Sequence, residues 1–172
     1  MPSIITTESE TTMNPWTLQD WKKHLPSSRH RRFGLRLRFD KGVSQEVKTA
    51  CIRFATWLRS QYTFPLRVPV YIKKQDRIKA KDGDLVVGTF FEPLQHTIEP
   101  YIRIATGDYE ELKEEIGRDQ ALASILTVIA HELTHYFQWI SGIQKTERDS
   151  ECQAHRCAKK LLKKYAETRE HP

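Results

Sequence analysis

The chain has 172 residues, enough for one hydrophobic core and too few for a multidomain protein. Its 28 Lys and Arg against 22 Asp and Glu give a formal charge of +6 and a pI near 9.3, a balance that admits nucleic acid or an acidic partner without identifying either. The longest apolar stretch, residues 125–130 interrupted by Thr127, is far too short to span a bilayer, and Cys51, Cys152 and Cys157 form no Cys-x-x-Cys pair, which argues against a disulfide scaffold.

Residues 1–28 read as a flexible N-terminal segment: 1–13 are polar and rich in Thr, Ser and Glu, and 17–24 are expected to form a short docking helix. No basic stretch followed by an apolar one opens the chain, so the expected location is the cytoplasm. Residues 29–172 read as the single folded domain. Arg29, Arg31, Arg32, Arg36 and Arg38 gather part of the positive charge, but no recognition helix, zinc finger or single-strand-binding pattern accompanies them, so nucleic acid is the less favoured partner. Residues 33–40 alternate apolar and basic side chains as a half-buried strand does; 44–62 read as a helix and 66–72 as a second strand. Residues 73–84 mix charge signs and read as a loop or hairpin. The β-rich runs 84–92 and 100–105, separated by a Pro-flanked loop, look like an antiparallel pair, and an acidic helix over 109–115 follows.

Two longer helices close the chain. Over 119–140, Leu122, Ile125, Leu126, Ile129, Leu133, Phe137 and Ile140 recur at three-to-four spacing, with Asp119 as N-cap and Gly142 as the stop. Over 146–165, Ala154, Ala158, Leu161, Leu162 and Tyr165 share one face. The order predicts an α+β fold: a small twisted sheet, mostly antiparallel or mixed, packed on the 44–62 helix, with the 119–140 helix beneath the sheet's edge.

That helix carries His131-Glu132-Leu133-Thr134-His135. Histidines four apart stand one above the other on a helix, so both imidazoles reach one metal ion, and the glutamate between them is rotated toward the side where water would enter. The two residues inside the motif are uncharged, which spares the burial of a charge beside the ligands. Zinc is the expected metal, and catalytic zinc takes three protein ligands. Glu151, on the alanine face of the last helix, is the expected third. Glu147, one turn earlier on nearly the same face, is the alternative, while Cys152 is rotated away.

The paired histidines followed by Glu151-x-x-Ala154-x-x-x-Ala158-x-x-Leu161 resemble the gluzincin metallopeptidases, in particular their single-domain members, the minigluzincins, and related regulatory proteases of phages and mobile elements. The resemblance covers roughly the C-terminal half. It implies a zinc-dependent endopeptidase in which His131, His135 and Glu151 hold one zinc ion and Glu132 acts as general base, then acid. It also implies an edge strand above the metal, here Val87, Gly88, Thr89, Phe90 and Phe91, that binds an extended peptide as an added strand. Where thermolysin-like gluzincins place an aspartate one turn after the third ligand, this chain has His155. His155 and Tyr165 are the candidates for stabilising the transition state, and His96 could overhang the cleft. The C-terminal tail, His171 included, is a candidate for holding the enzyme latent. A monomer acting on an extended peptide or protein is expected; the alternative is a non-catalytic zinc-stabilised regulatory or nucleic-acid-associated module.

Overall fold

The computed structural model describes residues 14–23, 25 and 31–168. The polar residues 1–13 and the tail with His171 lie outside the described residues.

Four strands form a mixed sheet in the order β1-β2-β6-β5: β1 (Leu35–Phe39), β2 (Val68–Lys73), β5 (Gly88–Phe91) and β6 (Tyr101–Ala105). The first three neighbours run parallel and β5 runs antiparallel to β6. The mixture follows from the connections. Helix α1 (Gln45–Gln61) joins β1 to β2 as a crossover, which forces those strands parallel. The Pro-flanked loop between β5 and β6 turns the chain back, and their pairing is the antiparallel one that the two β-rich runs predict. Between β2 and β5 the expected hairpin forms as a separate small sheet, β3 (Ile78–Lys79) against β4 (Leu85–Val86).

Register sorts the side chains by face. Leu37, Val70, Ile102 and Phe90 lie across the sheet in one row, and Phe39, Ile72, Ile104 and Gly88 in the next. Val70, Ile72, Ile102 and Ile104 are fully buried against the helices. The opposite face carries Arg36, Arg38, Lys73 and Arg103 with Tyr71, Tyr101 and Phe91, whose rings contact one another in sequence. Helix α1 buries Val47, Cys51, Phe54, Ala55 and Leu58, a stripe at helical spacing, and Arg59 donates from Nε and Nη2 to the Leu35 carbonyl at 3.1 and 2.8 Å, fixing the helix to β1.

Helices α2 (Tyr109–Ile116) and α3 (Arg118–Ile140) meet at Gly117, whose φ of 88° ends one and starts the other. Gly117 therefore takes the N-cap position expected of Asp119, which falls in the first turn of α3 and complements the helix dipole there. Glu46 of α1 receives Lys113 Nζ and Arg118 Nε, each at 2.6 Å, and clamps this junction. Helix α4 (Glu147–Thr168) packs along α3 through Ala154 and Ala158, whose small side chains let the backbones approach.

The N-terminal segment differs from its sequence reading. Trp16 is a core residue, packed on Phe137 at 4.5 Å and Tyr62 at 4.9 Å, and its Nε1 donates to Thr134 Oγ1 at 3.0 Å. Residues 14–23 thus belong to the domain. The expected helix over 17–24 is one 3-10 turn, Asp20–Lys23. An indole that finds an aromatic cluster and a hydroxyl acceptor outweighs the polar composition of the residues before it.

Candidate metal centre

Helix α3 places the histidines by its contact with the edge strand. At Gly88 of β5, a Cβ would stand 2.5 Å from Val128 Cγ1 and 3.2 Å from Glu132 Cγ and Oε1, so only glycine lets the strand lie this close to the helix. His131 and His135 emerge one turn apart beside this contact, facing α4, and Glu151 meets them from the first turns of that helix. Glu151 Oε2 lies 2.9 Å from His131 Nε2, Glu151 Oε1 lies 2.9 Å from His135 Nε2, and the two Nε2 atoms are 3.2 Å apart. One donor atom from each residue falls within a 4.8 Å group. Ligand atoms at bond lengths of about 2.0–2.1 Å on a tetrahedral zinc are separated by roughly 3.3 Å, so the spacing fits that ion with little movement.

Hydrogen bonding shows what the group lacks. Gln138 donates from Nε2 to the Ser150 carbonyl at 3.1 Å and to Gln153 Oε1 at 2.8 Å, which leaves its Oε1 as an acceptor. That oxygen lies 2.9 Å from His135 Nδ1 and also accepts from Ser150 Oγ at 2.7 Å. His135 therefore donates from Nδ1, and in the neutral ring its Nε2 presents a lone pair. A lone pair of Nε2 then faces a carboxylate oxygen at hydrogen-bond distance. Two acceptors at that distance require a cation or an added proton between them. The His135–Gln138–Ser150–Gln153 chain is thus an outer layer that sets a ligand's tautomer.

Glu132 is 8% exposed and sits between α3 and β5. Burial, with the nearby Glu151 carboxylate adding to it, pushes its carboxyl up to about 8. A cation held by the three ligands acts in the opposite direction, favouring the carboxylate. His131 is shifted down, chiefly by burial and then by His135, with Glu151 opposing. Both shifts favour the uncharged form of the side chain.

The group opens onto a cleft of about 890 Å³ whose lining includes Gly88, Thr89, Phe90, Glu132, His155 and Trp139. Val87 lines it too, though it is the bend between β4 and β5 rather than part of the strand; its carbonyl accepts from Ala105 N–H at 2.8 Å. Phe91, with the cross-strand partner Tyr101 stacked on it at 4.8 Å, points to the other face of the sheet and is not among the lining residues. Glu147 lies on the rim, and Glu151 is the carboxylate that joins the histidines. His155 lines the cleft. Tyr165 does not: it packs against Phe54 at 4.9 Å and Trp57 at 5.1 Å in the core, so its expected role near the metal is corrected. His96 bonds the Trp139 carbonyl through Nε2 at 2.9 Å and stacks on that indole, closing the end of α3 rather than overhanging the ligands. Sequence reasoning missed Gln138 and Ser150. The available signal was spacing: Gln138 is three residues after His135, on the same helical face. No known family model, curated protein or solved structure matches this chain.

Proposed function

We propose that the protein is a zinc-dependent endopeptidase. The observation that carries the reading is the convergence of His131, His135 and Glu151 on one point, beside a buried glutamate that takes no part in the group and faces an open cleft. His131 Nε2, His135 Nε2 and a Glu151 oxygen would hold the ion. When bound there, zinc supplies Lewis acidity, lowering the pKa of water and polarising a carbonyl. Glu132 is positioned to take a proton from water at its carboxylate and return it to the departing amine, and its low exposure keeps bulk water from competing for that proton. The outer edge of β5 is unpaired among the described residues and runs along the cleft, so an extended peptide can join the sheet there through backbone hydrogen bonds. Phe90 and Trp139, in edge contact at 6.1 Å, supply an apolar wall for one substrate side chain.

A closed structural site would need a fourth protein ligand, and among the described residues no fourth His, Cys, Asp or Glu joins the group. The test pairs metal analysis with cleavage of an unstructured casein-like substrate. The protein is expected to hold one zinc per chain and to cleave until a chelator removes it. Zinc without cleavage would leave the stapled-module reading in its place; no zinc would discard both.

A further inference from the structure

On the solvent side of α4, away from the metal group, Arg156, Lys159, Lys160, Lys163 and Lys164 form one stripe, all exposed. Along a helix these positions recur at three and four residues, and Arg156, Lys160 and Lys164 advance by about 6 Å per step. Asp149 and Glu167 bound the stripe without interrupting it. No ion pair neutralises any of the five among the described residues. Arg67–Glu99, Arg77–Asp108 and the Glu46 clamp are paired cations elsewhere in the fold.

The stripe also borders a recess. Arg156, Lys160 and Lys164 stand on the lip of a cavity of about 240 Å³ whose other walls include Asn14, Trp16 and Tyr62. Lys164 Nζ sits 5.6 Å from the Tyr62 ring centroid, which holds one cation over an aromatic face. Regularly spaced, exposed cations suit a chain of phosphates. A lipid surface suits them less, because binding there draws on apolar side chains that insert, and none of the exposed large hydrophobic residues lies on α4.

We propose that this face of α4 docks the phosphodiester backbone of nucleic acid without reading its sequence. Charge complementarity selects the partner: the chain carries a net +6, and the stripe is an unneutralised share of it. The inference is independent of peptide hydrolysis, since none of its residues belongs to the metal group.

Fluorescence anisotropy with a labelled oligothymidylate and a labelled mixed-sequence duplex tests it on the full chain across a salt series. Either probe should bind at low salt, and binding should weaken steeply as salt rises. Arg156→Glu/Lys160→Glu should lower affinity by at least about tenfold and flatten the salt slope by about 1.4–1.8, the share of two phosphate contacts. Arg36→Glu/Arg38→Glu on the sheet makes the same charge change elsewhere and should stay within about twofold of wild type. Thermal melts check folding, and Lys159→Glu/Lys163→Glu gives an independent pair on the same stripe. Absent binding at low salt, equal weakening in the α4 and sheet variants, or tighter binding to phosphatidylserine vesicles than to either oligonucleotide would overturn the proposal.

Discussion

Two concavities of similar size share α3. The groove between α1, the first half of α3 and the end of α4 measures about 760 Å³ and is lined chiefly by Ala50, Leu122, Ala123, Leu126, Leu162 and Tyr165, with Glu46, Arg53 and Arg118 at its margins. The cleft along the second half measures about 890 Å³ and gathers His131, Glu132, His135 and Glu151. Volume does not separate them. What does is the arrangement of their polar groups: in the groove, Glu46 is paired with Lys113 and Arg118, whereas in the cleft His131, His135 and Glu151 converge on one point beside Glu132, whose carboxyl burial pushes up to about 8. A helix whose first half is held by ordinary ion pairs carries in its second half the convergent and pKa-shifted groups from which function is read.

The sharpest way to test that contrast is to alter the cleft without disturbing its shape. Glu132→Gln should retain zinc and the fold while casein cleavage falls by about 10²- to 10⁴-fold, the usual worth of a general base; cleavage within a few-fold of wild type would remove Glu132 from the chemistry. Next in size is the ligand's support. Gln138→Ala frees the His135 ring to rotate or change tautomer, and competition with a chromogenic chelator should show zinc affinity reduced about 10- to 100-fold. A Gln138→Glu variant, which keeps the acceptor, should recover much of it.

Smaller effects test the backbone approach. Gly88→Ala places a methyl against Val128 and Glu132, and should cost about 1–3 kcal/mol in a urea melt while shifting the strand off the helix; an unchanged midpoint would mean the strand is free to move. Protonation tests the burial of Glu132. Its carboxyl is raised from 4.5 to about 8 in the metal-free fold, so the folded state holds the extra proton across that interval. Metal-free stability attributable to Glu132 should therefore be fully present below about pH 4.5 and decline as pH rises through 8, and Glu132→Gln should lack that decline. The smallest effect belongs to the groove. Ala123→Ser changes its lining without touching the ligands, and both cleavage and zinc affinity should stay within about twofold of wild type.

How far the chain could be read ahead of its structure depended on the range of the governing interaction. Helix α3 and its histidine pair were legible because the helical repeat is local, and Glu151 was legible because it shares a face with alanines that must pack. The same face argument failed for Tyr165. It lies fourteen residues after Glu151, about 21 Å along the axis, so it shares the face without sharing the site. Phe91 belongs to the edge strand, but its ring stacks on Tyr101 and does not line the cleft. Gln138 and Ser150 gain their roles only where α3 meets α4, because a polar side chain signals a network only through its partner. Trp16 was hidden in the same way: its hydroxyl acceptor lies 118 residues away.

That last separation bears on the making of the protein. The three residues of the candidate metal group lie at 131, 135 and 151, and the helix supporting Glu151 runs to residue 168. During synthesis the early strands emerge before α3, so the contacts of Trp16 with Thr134 and Phe137 form only after that helix has been made. A nascent fragment ending before residue 147 has β5, Glu132 and both histidines but no α4, so His131, His135 and Glu151 do not come together on it.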